Sequence, residues 1–311
     1  MATPLVLLGE VHTGLVPSST PLGRADADEV LALLPGCSVS WLERPIRLAT
    51  SPTVGVGVDC RLRVGAEVVP IVGTVATRAR LVGGWTLQSS ACTRVCRSGD
   101  RRKQTWSYYL GRKGTTELIG RLPEIDSART ALAEGYLTGP PGREILDMGA
   151  ISDHLMNHIR FDSGLDRRPP LRTRTTRLRW TACLAGNSRA SVSFHLGAGH
   201  QRAMRVAVRT DRELRAVQQF CEDVAAHDWL LTVVTDVLDA AERRLGRSHA
   251  RIDDLSAVLH NLTGLWIPGG HVPPEVRGLW KGLQIEPGFS RQWSLLTTRV
   301  RDKVASQRAP G

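Results

Sequence analysis

Four groups of residues in this 311-residue chain have side chains and spacings that could carry chemistry. In Gly9-Glu10-Val11-His12-Thr13-Gly14, Glu10 and His12 stand two apart, so on a strand they share one face and the carboxylate can orient the imidazole for general-base work. The flanking glycines would permit close backbone approach by a ligand, and the competing reading is a strand end with its polar face in water. Asp223 and His227 stand at i, i+4, where a helical carboxylate can hydrogen-bond the ring. Cys221 lies about 240° around the helix from His227, which disfavours a Cys–His nucleophile. Asp228 falls on the apolar seam of the same stretch, so it is either a buried polar residue needing a partner or the N-cap of a second helix beginning at Trp229. The cap is the favoured reading.

The third group, His154 and His158, could reach one metal ion from one helix face, with only Asp153 or Asp162 nearby as further ligands. A solvent-facing flank of the helix explains the pair equally well. Fourth, Arg167, Arg168, Arg172, Arg174, Arg177 and Arg179 crowd into a short run that ends in Trp180. Guanidinium groups suit bidentate recognition of phosphate or carboxylate, and an indole beside them could stack a base, so these seven residues form the candidate polyanion-binding surface. The plain alternative is a solvated connector whose arginines pair with acids across an interface.

Net charge supports the fourth group, with qualification. The chain carries +11, but only four of its 41 basic residues are lysine, an arginine bias of the kind a GC-rich genome produces. The excess is local: residues 160–215 hold 13 basic and 4 acidic side chains. There is no phosphate-binding G-x-x-x-x-G-K-[ST], no G-x-G-x-x-G, no H-E-x-x-H and no G-x-S-x-G, which disfavours nucleotide hydrolysis and zincin chemistry. No apolar run is long enough to span a membrane, and the six cysteines are scattered. A cytoplasmic protein with reduced thiols, no cofactor and no membrane association is expected.

The elements that must position these residues read as α+β. Alternation at 54–64 and 87–96, with a Val/Ile/Thr-rich run at 68–81 between them, predicts an antiparallel meander. Asp26 with Glu29 predicts a capped early helix, Asp126 and Asp147 predict caps for two later ones, and Ile151, Leu155 and Ile159 form an apolar stripe. Strands at 177–184, 191–196 and 204–208 then precede helices. The organisation expected is a β-rich domain at 1–122, a helical segment and Arg/Pro-rich connector at 123–170, a β-β-β-α-α module at 171–246, and a helical C-terminal extension at 247–311.

Four segments, Gly9 to Leu15, Gly73 to Ala79, Thr176 to Trp180 and Cys221 to Thr232, resemble an uncharacterised family of Streptomyces and related actinobacteria. The resemblance spans roughly residues 5–245. It implies an actinobacterial cytoplasmic protein whose gene sits beside those of a variant P-loop protein and a methyltransferase-like protein, and it implies no catalytic residues. The leading expectation is a non-catalytic component of a multiprotein system that uses its arginine-rich junction to bind a polyanion, such as nucleic acid, or a partner protein encoded nearby. The alternatives are an enzyme using Glu10/His12 or Asp223/His227 in an interdomain cleft, and a structural adaptor without a ligand.

Overall fold

The computed structural model describes residues 4–308 except 66, 100–101, 121–124, 140–141, 143, 187, 198–200 and 244–249. Its ten strands are β1 (Val6–Leu15), β2 (Ser40–Leu42), β3 (Leu48–Thr50), β4 (Val54–Val64), β5 (Glu67–Val82), β6 (Thr86–Arg97), β7 (Thr115–Leu118), β8 (Thr176–Leu184), β9 (Ser191–Leu196) and β10 (Arg202–Val208). They form one mostly antiparallel sheet in the order β2-β3-β5-β7-β6-β1-β8-β10-β9, with β4 beside β5 and β5 also paired to β6. Only β6–β7 and β8–β10 are parallel. The meander and the three later strands therefore lie where the alternation put them.

The sheet runs through the expected domain boundary. β1 pairs with β6 on one side and with β8 on the other, so the segment between 161 and 175 links parts of one sheet. Local composition could not reveal that the first strand bridges the two sides of this segment, because that pairing joins residues about 170 positions apart. The last three strands are thus a continuation of the first seven, with β10 lying between β8 and β9.

Helices cover both faces. Over one face lie α1 (Arg24–Val30), α3 (Ile125–Thr138) and α4 (Met148–Arg160). Asp147 caps α4 as expected, accepting from the Ala150 N–H at 2.9 Å, whereas Asp26 sits inside the first turn of α1 and reaches back to the Gly23 N–H. The α3 helix begins at Ile125, so Asp126 falls within it rather than at its cap. The opposite face carries α2 (Trp106–Leu110) near β4 and the 33-residue α5 (Asp211–Arg243) across the centre. Behind α5 pack α6 (Ala250–Ala257), α7 (Pro274–Arg277), α8 (Trp280–Ile285) and α9 (Phe289–Arg308). These C-terminal helices share one core with the sheet, because Leu255, Trp280, Phe289 and Val300 cluster with Leu7, Val11 and Trp180. Among the described residues no helix is long and apolar enough to cross a membrane.

The α5 helix is unbroken through Trp229, which corrects the expected N-cap at Asp228. A cap needs a helix start, and here the carboxylate points from the middle of the helix into the core, where Arg202 of β10 donates to it. The other reading of Asp228, a buried polar residue with a partner, describes it.

Gly9 shows how closely the layers approach. A Cβ at this position would run into the indole of Trp180, which is fully buried on the neighbouring strand. The glycine thus makes room for the protein's own side chain rather than for a ligand. Gly9→Ala is expected to lower stability by about 3 kcal/mol in urea unfolding, the upper end for overpacking, because the ring has nowhere to move. Adding Trp180→Leu should recover part of that loss. An unchanged urea midpoint in the single variant would refute the fit.

Candidate functional site

Alternation along β1 brings Glu10 and His12 to the face under α4. Glu10 has no exposed surface, and His12 is buried with Nε2 3.6 Å from Glu10 Oε1 and Nδ1 3.6 Å from Asp153 Oδ1. The pair is adjacent, as the two-residue spacing requires, yet neither ring nitrogen makes a hydrogen bond among the described residues. Burial pushes the imidazole below its ordinary range, with Asp153 opposing and Arg160 reinforcing the shift. Arg177 and Arg179 of β8 take Glu10 instead. Arg177 Nε donates to Oε1, Arg179 Nε donates to Oε2 at 3.4 Å, and Arg179 Nη1 also donates to the Tyr136 and Gly139 carbonyls. A carboxylate without exposed surface, held by two guanidiniums of β8, ties β1 to its neighbour.

On the other face, Asp223 and His227 are likewise together and likewise employed. His227 Nδ1 lies 2.6 Å from the Asp223 carbonyl, and the Asp223 carboxylate accepts from Gly269 N–H at 2.8 Å and Trp280 Nε1 at 2.9 Å. It thereby fastens the 266–273 loop and α8 to α5. His227 packs edge-on against Trp266 and Trp280. His227, Thr86, Gln88 and His271 line a cavity of about 10 Å³, room for about one water molecule and no substrate. Cys221 is fully buried, and burial pushes its thiol well above the usual range, so it offers no thiolate.

Sequence reasoning passed over the strongest charged cluster. Glu222, also without exposed surface, receives Arg78 Nε at 2.9 Å and Nη2 at 2.6 Å, Arg80 Nη1 at 2.9 Å, and the Ser90 hydroxyl at 2.6 Å. The available signal was Arg78 and Arg80 at i, i+2 within an apolar strand, which puts two cations on one inner face that demand an anion.

The arginine-rich run disperses. Trp180 is in the core and cannot stack a base. Arg177 and Arg179 share a face, as alternation requires, but it is the one turned to Glu10. Arg174 pairs with Asp236 of α5 at 2.8 Å. Elsewhere in the basic segment, Arg205 pairs with Glu134 and Arg212 with Glu275. Arg167, Arg168 and Arg172 remain at the surface, with the Arg167 guanidinium over the Phe161 ring. Much of the local charge excess thus meets acids brought from distant parts of the chain.

An open concavity lies between α4 and β4. Leu33, Val54, Val56, Ala150, Ile151 and Leu155 form most of its wall, with Thr77 also lining it and His154 and His158 on its exposed rim, and it measures about 520 Å³. The groove is lined by one side of the stripe read on α4. The two histidines find no metal-ligand set, since no group of three His, Cys, Asp or Glu among the described residues could hold an ion. They supply a polar margin to an apolar surface. Compared with known proteins, the chain matches no protein-family model, no curated protein and no solved structure.

Proposed function

We propose that this protein is a non-catalytic component of a larger assembly, engaging a partner protein through the groove between α4 and β4. One contrast carries the reading: the acid–base pairs are buried, with both carboxylates committed to internal bonds, while an apolar concavity of about 520 Å³ stands open. Solvent-facing apolar surface of this kind has unfavourable contact with water that an apolar partner segment removes. An enzymatic role has less support, because Glu10 has no exposed surface and His227 faces space for about one water. The arginine-rich junction is the weaker docking candidate, since among the described residues only Arg167, Arg168 and Arg172 of its six arginines have guanidiniums without a salt bridge.

The test is co-purification with the products of the neighbouring genes. Ala150 is exposed at the groove, so Ala150→Trp fills the groove without entering the core. That variant is expected to lose the partner at least tenfold, whereas Arg167→Ala/Arg168→Ala/Arg172→Ala should retain it. The reverse pattern would move the interface to the junction, and retention on heparin lost in the triple variant would point to a polyanion there.

A further inference from the structure

Beside the groove, the edge of the sheet has a gap the width of one strand. β3 and β4 lie end to end along the same side of β5, with β3 opposite Arg80 to Val82 and β4 opposite Glu67 to Thr77. Outside β3 sits β2. Outside the far part of β4 sits the 144–146 segment, where Arg61 N–H donates to the Glu144 carbonyl at 2.8 Å and Leu146 N–H donates to the Arg61 carbonyl at 2.9 Å. Arg61 therefore turns both backbone groups away from β5. The register from Val54↔Thr77 to Val64↔Glu67 is unbroken, so every second residue does the same, and Gly55, Gly57 and Asp59 also face outward. Their N–H and C=O groups have no hydrogen-bond partner among the described residues. A bare edge of five residues, about 17 Å long, is thus bounded at both ends by the protein's own chain.

We infer that this gap receives an extended segment of a partner protein, which adds to β4 as a strand and lays alternate side chains into the groove. The inference rests on the groove being the docking surface and specifies what docks there. Val54 and Val56 point into the groove, so an added strand has the same pleat and presents its i and i+2 side chains there, against Ile151 and Leu155. The opposite face of β4 has different chemistry. Gly55 and Gly57 lack side chains, and the Lys113 stem and Trp106 ring come within 3.3 and 3.1 Å of where their Cβ atoms would be. Trp106 is half-exposed there, and Lys113 has no acidic partner among the described residues. The segment that fits alternates apolar side chains toward α4 with carboxylates toward Lys113. An edge with no proline, and with no covering element among the described residues, is a standing template for such pairing, and the short gap between β2 and 144–146 suits a peptide better than the long edge of a second sheet.

The experiment uses the full chain and a displayed library of random heptapeptides, with selected sequences made synthetically and N-methylated one position at a time. Selected peptides are expected to alternate apolar and acidic residues, to bind at least tenfold more weakly to Ala150→Trp, and to lose roughly five- to tenfold on N-methylation at every second position only. Tolerance of N-methylation at all positions, with binding still lost in Ala150→Trp, would overturn strand addition and leave the groove as the interface. Peptides that bind Ala150→Trp as tightly as the unmodified chain, or no selection above a protein-free control, would overturn both. A chain that sediments as a dimer and becomes monomeric on Ala150→Trp would assign the gap to a second copy and overturn the peptide.

Discussion

Glu222→Ala is expected to cost the folded state about 3–5 kcal/mol, enough to consume much of a domain's net stability. Burial by itself would raise the Glu222 carboxyl, but Arg78 and Arg80 outweigh it and hold the group below its ordinary range, so it is ionised between two cations. Removing it leaves two guanidiniums beneath α5 without the anion that accepts their hydrogen bonds, with only the more distant Asp223 charge acting on Arg80, and arginine cannot escape by losing its proton. The Ser90 hydroxyl and Gln218 amide lose an acceptor as well. Urea unfolding measures the loss. The compensated variant Arg78→Met/Arg80→Leu/Glu222→Met should recover most of it, because the cost lies in uncompensated buried charge rather than in the ion pairs themselves. If Glu222→Ala unfolds at the same urea concentration as the unmodified chain, the cluster is not buried and charged as described.

This cluster also explains which parts of the molecule were legible in advance. The strand at 54–64 and the cap at Asp147 were readable because each is specified by residues within a few positions: a two-residue alternation, or one side chain and a nearby N–H. Glu222 with Arg78, Glu10 with Arg179, and Asp228 with Arg202 are different. Along the chain Glu222 draws no reading of its own, Glu10 reads as a partner for His12 or a wet strand end, and Asp228 reads as a cap or a buried residue in need of a partner; strand register and helix packing supply the actual partners between 26 and 169 positions away. The same non-locality misled the reading of the basic segment, whose charge looked unneutralised along the chain and is largely neutralised across the fold. The groove was half legible. The α4 stripe and the β4 alternation were each visible, but nothing in either shows that they face each other, or that β2 and 144–146 stop short of covering the strand between them.

The buried pair of Asp228 on α5 and Arg202 on β10 makes stability depend on pH in a way that tests the unbroken helix. Burial raises the Asp228 carboxyl to about 6 from an ordinary 3.8, although the Arg202 guanidinium opposes the shift. Between those two values the folded chain holds a proton that the unfolded chain has released. The stabilisation from this group is therefore complete below about pH 4 and is lost as pH rises through 6. A shift of that size corresponds to about 3 kcal/mol. Glu222 and Glu275, whose carboxyls are held below their ordinary range, act in the opposite direction, adding stability above the unfolded value and losing it at lower pH. The contribution of Asp228 alone therefore emerges as a difference between two profiles. Urea unfolding of the unmodified chain and of Asp228→Asn at intervals from pH 4 to pH 7 should show the unmodified chain losing about 2 kcal/mol relative to the variant across that range. Parallel profiles would mean that Asp228 titrates as it does in the unfolded chain, which a carboxylate at a solvated helix start would do and one buried in mid-helix against Arg202 would not.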